Sequence, residues 1–248
     1  MKKMMVLFIF CMEMAAAGTL HIATAANMSY AMKDLKALFE KESPRTHIEV
    51  MIGGSGKLAA QIRQGAPYDL FLSANMHYPQ KLFEMGVATD KPVMYAQGAL
   101  VLLSKTPRNY EIGLGLLTSS MIHKIAIANP KTAPYGVAAV EALKKAGLYD
   151  AVKPKFVYGE SISQTITYTL RAADIGIVAK SALFAPKMRY FKAGKHWIDV
   201  DASLYTPIAQ GMVLLKRAAA NAEAKAFYDF MKRDEAKKIL HAYGYRLP

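Results

Sequence analysis

The sequence predicts an α/β protein of two lobes, each a mostly parallel sheet flanked by helices, with two strands crossing between the lobes. Three observations carry that expectation. Short apolar runs alternate with longer amphipathic stretches along most of the chain, the pattern of a parallel sheet covered by helices. The segment Ala96-Gln-Gly-Ala-Leu-Val-Leu-Leu-Ser-Lys105 is echoed by Ala209-Gln-Gly-Met-Val-Leu-Leu-Lys216. Two such strands suit a chain that leaves one lobe and later returns, although two buried strands can also be alike through apolar composition alone. Finally, four strands each run through a polar or glycine-bearing turn into the start of a helix, at Asn27, Ser55, Thr132–Tyr135 and Glu160–Ile162.

The chain has 248 residues, 53% hydrophobic and 21% charged, an ordinary globular composition with room for two modest domains. Met1-Lys2-Lys3, the apolar run Met4 to Met12 and the small residues Ala15-Ala16-Ala17 form the charged, apolar and cleavage regions of a secretory signal. Residues 1–17 are therefore expected to be removed on export. The single cysteine, Cys11, falls inside that signal, and Phe10 before it is too bulky for lipid attachment. The mature chain then has no thiol chemistry. A formal net charge of +13 invites a nucleic-acid reading, but the lysines are spread over helix surfaces (Lys144-Lys145, Lys237-Lys238) with no basic arm. A basic surface of this kind helps a small anion arrive.

Taken in order, His21 to Ala25 reads as an apolar strand that breaks at Ala26-Asn27. A helix follows from about Ser29, with Ala31, Leu35, Leu38 and Phe39 on its buried face. Asn27 and Ser29 stand where an N-cap belongs, so Asn27 either caps that helix or meets a ligand there. His47 to Ile52 is a second strand leading into Gly53-Gly-Ser-Gly-Lys57 and a helix over Leu58 to Gln64. A phosphate-loop reading fails: Met51 stands where the first glycine belongs, and Leu58 where Ser or Thr would bind magnesium. What remains is Ser55 and free amides at a helix start. Asp69 to Leu72 is a third strand, and His77 to Glu84 a helix. In the middle block, strands Ile125–Ala128 and Lys155–Tyr158 feed helices Val137–Lys145 and Ser163–Arg171, and strand Ile175–Val178 completes the core. Asn221 to Lys232 and Asp234 to Ala242 are terminal helices. The echo strands divide the mature chain into a first lobe of residues 18–96 and 210–248 and a second lobe of residues 97–209.

Loops beyond the carboxyl ends of strands are where open α/β sheets bind ligands, and helix N-termini there favour an anion. Several strings are more specific. Ala25-Ala-Asn-Met-Ser-Tyr-Ala-Met32, Leu58-Ala-Ala-Gln-Ile62, Gly65-Ala-Pro-Tyr-Asp-Leu-Phe-Leu-Ser-Ala74, Pro134-Tyr-Gly136, Gly176-Ile-Val178, and Ala226-Phe-Tyr-Asp-Phe-Met231 with Tyr243-Gly-Tyr245 span nearly the whole mature chain. In these strings the sequence resembles the periplasmic molybdate-binding proteins, the solute receptors of ABC importers. The resemblance implies a periplasmic binding protein fold of type II and a periplasmic, monomeric receptor. It implies molybdate or tungstate as ligand, an ABC transporter membrane permease as partner, and no cofactor. By the same resemblance the oxyanion-binding positions fall on Asn27, Ser55, and the backbone amides of Tyr135 and Ile162, with no metal bound directly by the protein. The chain departs from the pattern at Ala179, where many members place a tyrosine hydroxyl. Tyr135 is the candidate to supply that phenol from the opposite loop.

The chemistry of those residues agrees. A fully deprotonated tetrahedral dianion offers only acceptors, so its site needs only donors. Phosphate near neutral pH keeps a proton that needs an acceptor, and Glu160 is the one carboxylate in the four loops. The runner-up readings are a receptor for sulfate or phosphate, or a phosphoester hydrolase. Against a hydrolase, His21, His47, His77, His123, His196 and His241 are isolated in sequence, and Lys57 interrupts a Gly-x-Ser-x-Gly elbow. No catalytic residue is assigned. A DNA-binding regulator of the same fold would need an N-terminal helix pair where this chain carries a signal.

Overall fold

The computed structural model describes residues 18–248. The expected signal, residues 1–17 with Cys11, lies outside the described residues. Two five-stranded sheets form the two lobes. The first lobe opens with β1 (Thr19–Ala25), α1 (Ala31–Glu42), β2 (His47–Gly53), α2 (Ser55–Arg63), β3 (Leu70–Leu72), α3 (His77–Glu84) and β4 (Val93–Gly98). The chain then crosses to the second lobe: β5 (Leu100–Leu103), β6 (Ile125–Ala128), α4 (Pro134–Lys145), the single turn α5 (Tyr149–Val152), β7 (Phe156–Gly159), α6 (Ile162–Arg171), β8 (Ile175–Ala179) and β9 (Trp197–Asp199). It returns through β10 (Ile208–Leu214) and ends in α7 (Ala222–Phe230) and α8 (Asp234–Ala242).

The sheet orders are β2-β1-β3-β10-β4 and β7-β6-β8-β5-β9. In each, three strands from consecutive βα units are parallel, and the ladders beyond them are antiparallel. The sheets are thus mixed, where the sequence suggested mostly parallel ones. The crossing explains it in the first lobe: β4 carries the chain out and β10 brings it back, so the two run in opposite directions.

Both faces of the inner strands β1, β3 and β10 are covered, which is why these strands are rich in apolar residues. Alternation along each strand sorts the side chains. Leu20, Ile22, Leu70, Leu72 and Met212 pack with Leu35 and Phe39 of α1 and with Phe227, Phe230 and Leu240 of the terminal helices. Ala23, Phe71 and Val213 point the other way, onto Leu58, Ala59 and Ile62 of α2 and Leu82 of α3. In the second lobe Leu100 and Leu102, Ile125, Ile127 and Ile177 pack with Ala138, Ala142 and Leu143 of α4.

Helix starts differ in detail from the sequence reading. A 3-10 turn, Ala26–Met28, intervenes before α1, whose N-cap is Tyr30 with no side-chain cap bond. Neither Asn27 nor Ser29 caps it. Pro134 occupies the first turn of α4, where its fixed φ and missing N–H cost nothing, so that helix begins before Val137.

Candidate functional site

The carboxyl ends of β1 and β2 face those of β6 and β7 across the seam between the lobes. Ala25–Asn27, Gly53–Ser55 and Ala74 from one side, and Ala133–Tyr135 and Ile162 from the other, surround a small cavity. All four residues expected from the sequence, Asn27, Ser55, Tyr135 and Ile162, line it. A larger hollow opens nearby between Met76, Val137 and Ile208, but none of the four expected residues lines it.

Three of the four expected residues are aimed by a helix start. Ser55 is the first residue of α2, after Gly54 at the cap. Its hydroxyl accepts from the Ala74 N–H at 3.0 Å, which leaves the hydroxyl proton to donate elsewhere. Tyr135 follows Pro134 in the first turn of α4, and Ile162 opens α6 behind Ser161, whose hydroxyl accepts from the Gln164 amide at 3.3 Å. First-turn amides have no carbonyl one turn back within their own helix, so those of Tyr135 and Ile162 are available to an anion.

Asn27 is held differently. It is 3% exposed, and its side-chain N–H groups donate to Gln210 Oε1 at 2.9 Å and to the Tyr245 hydroxyl at 2.8 Å. Its Oδ1 is buried without a partner among the described residues. The Tyr245 and Ser181 hydroxyls both donate to the Asn27 carbonyl, at 2.9 and 3.2 Å. Gln210 in turn accepts from Tyr95 at 2.9 Å and donates to the Tyr135 hydroxyl at 3.1 Å. Gln210, Tyr95 and Tyr245 thus form the polar wall behind Asn27 and Tyr135. The sequence reading did not assign them, although the Ala-Gln-Gly echo and the Tyr243-Gly-Tyr245 string both pointed at their segments.

The Tyr135 ring is buried, and a Cβ on Gly98 would collide with its hydroxyl. Only a glycine there leaves room for the phenol. Ala179, at the end of β8, is wholly buried and does not line the cavity. Among the described residues no charged side chain lines it either: Lys57 and Glu160 are both exposed. Burial pushes the Tyr135 and Tyr95 phenols well above the usual value, and Tyr245 upward too, so all three stay protonated. Among the described residues no group of three or more His, Cys, Asp or Glu could hold a metal ion.

The lobes touch around the cavity through groups of opposite sides. The Gly56 N–H donates to the Thr132 carbonyl at 3.0 Å, and the Ser163 hydroxyl to the Ala26 carbonyl at 3.1 Å. With the Ser181 and Gln210 bonds, these join the lobes by neutral hydrogen bonds.

A two-lobe α/β frame with a small cavity ringed by helix starts at its seam defines a class of solute receptors, and the sequence agrees: residues 20–246 match the family model of bacterial extracellular solute-binding proteins, to which this chain belongs. Within that class it is similar to the molybdate-binding protein ModA of Rhodobacter capsulatus, 41% identical over 93% of this chain and 89% of that protein. The molybdate-binding protein ModA of Azotobacter vinelandii is 38% identical over 94% and 92% of the two chains. A solved structure of the periplasmic molybdate-binding protein of Azotobacter vinelandii superposes with a TM-score of 0.85 at 34% identity, covering 92% of this chain and 99% of that one. The fold is that of the type II periplasmic binding proteins.

Proposed function

We propose that this protein captures molybdate, and tungstate with it, in the interlobe cavity and delivers it to the membrane permease of an ABC importer. The observation that carries the reading is the cavity itself: small, without charged walls, and ringed by the Ser55 hydroxyl and helix-start amides of both lobes. Its likeness to molybdate-binding relatives over most of their length selects the anion. Asn27, Ser55, and the amides of Tyr135 and Ile162 are the assigned contacts. We take the first lobe as residues 18–98 with 208–248 and the second as 99–207, a shift of two residues at each crossing from the division 18–96, 97–209 and 210–248 expected from the sequence, since β4 and β10 pair over those residues. The protein works as a monomer in the periplasm after loss of residues 1–17, and binds without catalysing a reaction.

Neutral donors suffice for such a ligand. A hydrogen bond to a charged group contributes roughly 1.5–3 kcal/mol, so a handful sustains tight binding without a formal positive charge. Competitive calorimetry with molybdate, tungstate, sulfate and phosphate tests the reading. Molybdate and tungstate, nearly equal in size and both unprotonated, should bind within a factor of about 100 of each other, about 2.7 kcal/mol. Sulfate, with shorter bonds, leaves donors unpaired and should bind orders of magnitude more weakly, since each costs roughly 1–3 kcal/mol. Sulfate binding as tightly as molybdate would refute the assignment.

A further inference from the structure

Gln210 lies outside the cavity lining, yet it governs what the cavity presents. It is fully buried on β10 and joins Asn27, Tyr95 and Tyr135, with Asn27 183 residues away in sequence. As placed, its Oε1 accepts from Asn27 and Tyr95 and its Nε2 donates to Tyr135. Both Asn27 hydrogens are then spent on Gln210 and Tyr245. The atom left over is Asn27 Oδ1, an unpartnered acceptor in a residue of the cavity wall. An unprotonated oxyanion offers nothing to an acceptor; an oxyanion that keeps a proton does.

A second arrangement uses the same heavy-atom positions. Turning both terminal amides by half a turn exchanges nitrogen for oxygen at each. Gln210 Nε2 then donates to Asn27 Oδ1 and to the Tyr95 hydroxyl, which has the Ser73 carbonyl as its own acceptor at 3.2 Å. Gln210 Oε1 accepts the Tyr135 proton. Tyr245 donates to Asn27 Oδ1, and the Asn27 carbonyl keeps its Ser181 partner. The Asn27 NH₂ now occupies the place of the unpartnered oxygen and brings donors to the cavity wall. The two amides must turn together, because turning one alone sets oxygen against oxygen or nitrogen against nitrogen.

Resting on the oxyanion reading above, we infer that Gln210 is a specificity-determining residue: by fixing the orientation of the Asn27 amide, it decides whether the site discriminates for an unprotonated oxyanion or for one that carries a proton. Gln210 carries both a donor and an acceptor, so it can satisfy its partners in either arrangement and permits the donor one. A glutamate at this position, when ionised, only accepts, which holds the Asn27 hydrogens away from the cavity and its oxygen toward it.

The test is the ratio of molybdate to arsenate affinity, measured by calorimetry near neutral pH, where arsenate retains at least one proton. A ratio is used because an added negative charge weakens both anions. Gln210→Glu should lower it by about 30-fold, the scale of one misdirected buried hydrogen bond. Gln210→Met, which holds Asn27 in neither orientation, should give an intermediate ratio; if the glutamate variant does not fold, the comparison of wild type with Gln210→Met carries the test. Both anions weakened equally, with the ratio unchanged in the folded variants, would overturn the inference and leave the oxyanion reading standing. A wild-type protein that binds neither anion would overturn both.

Discussion

Tyr135 does two jobs at the scale of single residues. Its backbone amide opens toward the cavity from the first turn of α4, while its ring fills the space that Gly98 leaves and reaches Gln210. A methyl group on Gly98 would contact both the Tyr135 hydroxyl and, at 2.8 Å, Gln210 Nε2. Gly98→Ala should therefore cost roughly 1–3 kcal/mol in a denaturant melt, the usual scale of overpacking, and weaken molybdate as the ring is displaced. Tyr135→Ala should enlarge the cavity, weaken molybdate and narrow its margin over sulfate while the amide contact survives; an unchanged margin in competitive calorimetry would remove the ring from the selectivity argument. Ser55→Ala deletes one donor and should weaken molybdate by roughly 1–3 kcal/mol; it also strands the buried Ala74 N–H, so the melting temperature should fall as well without loss of the fold. Because burial holds the three phenols above their ordinary value of about 10, none should lose its proton between about pH 6 and pH 9, and affinity should stay flat across that range. That Asn27, Ser55, Tyr135 and Ile162 would lie around one cavity was expected from the resemblance of their strings to a known family and, for Ser55, Tyr135 and Ile162, from the helix starts those strings mark. The partners of Asn27 were not. Gln210 and Tyr245 arrive from strands and tails that only the tertiary fold brings beside it, and no periodicity encodes that meeting.

Among the elements, the helix starts matter most, and α2 shows why its glycines are there. Gly56 donates its N–H to the Thr132 carbonyl of the other lobe. A Cβ at that position would sit 2.9 Å from the same oxygen and 2.7 Å from the Tyr78 hydroxyl. Tyr78 is the tip of a side chain and can move; the Thr132 carbonyl is backbone and moves only with its lobe. Gly56→Ala should accordingly disfavour the closed arrangement. Apparent affinity falls by the fraction of molecules able to close, so a tenfold loss corresponds to about 1.4 kcal/mol. Weaker molybdate binding with an unchanged melting temperature would confirm it, and full affinity would show that the lobes tolerate a wider seam. The echo strands show what sequence patterning does and does not convey. Their Ala-Gln-Gly portions pair with each other in the first sheet, Ala209 opposite Gln97 and Gln210 opposite Ala96. Their apolar continuations part company: Leu100–Leu103 enters the second sheet as β5, and Met212 to Leu214 stays in the first. Both are fully or nearly fully buried, so burial alone makes them look alike, and composition could not tell which sheet each would join.

At the scale of the whole molecule, the chain crosses between the sheets beside Ala99 and again before Ile208, with the cavity at the seam. Links of that kind permit the lobes to rotate about short connections, a hinge rather than a shear. Hydrogen bonds such as Gly56 to Thr132 and Ser163 to Ala26 join the lobes directly, but they are few and neutral. Each net bond of this type contributes only about 0.5–1.5 kcal/mol, so the free energy between open and closed forms should be small enough for a bound anion to decide it. A ligand shifts that balance only through contacts it gains on closure. Here those contacts are built in, because Ser55 belongs to one lobe and the Tyr135 and Ile162 amides to the other, and an anion touching both sides holds them together. Small-angle scattering should therefore show a smaller radius of gyration with saturating molybdate than without. Ser55→Ala, which removes a contact on one side only, should need more molybdate to reach the same compact limit. Identical profiles with and without saturating molybdate would rule out ligand-driven closure while leaving the binding site itself in place.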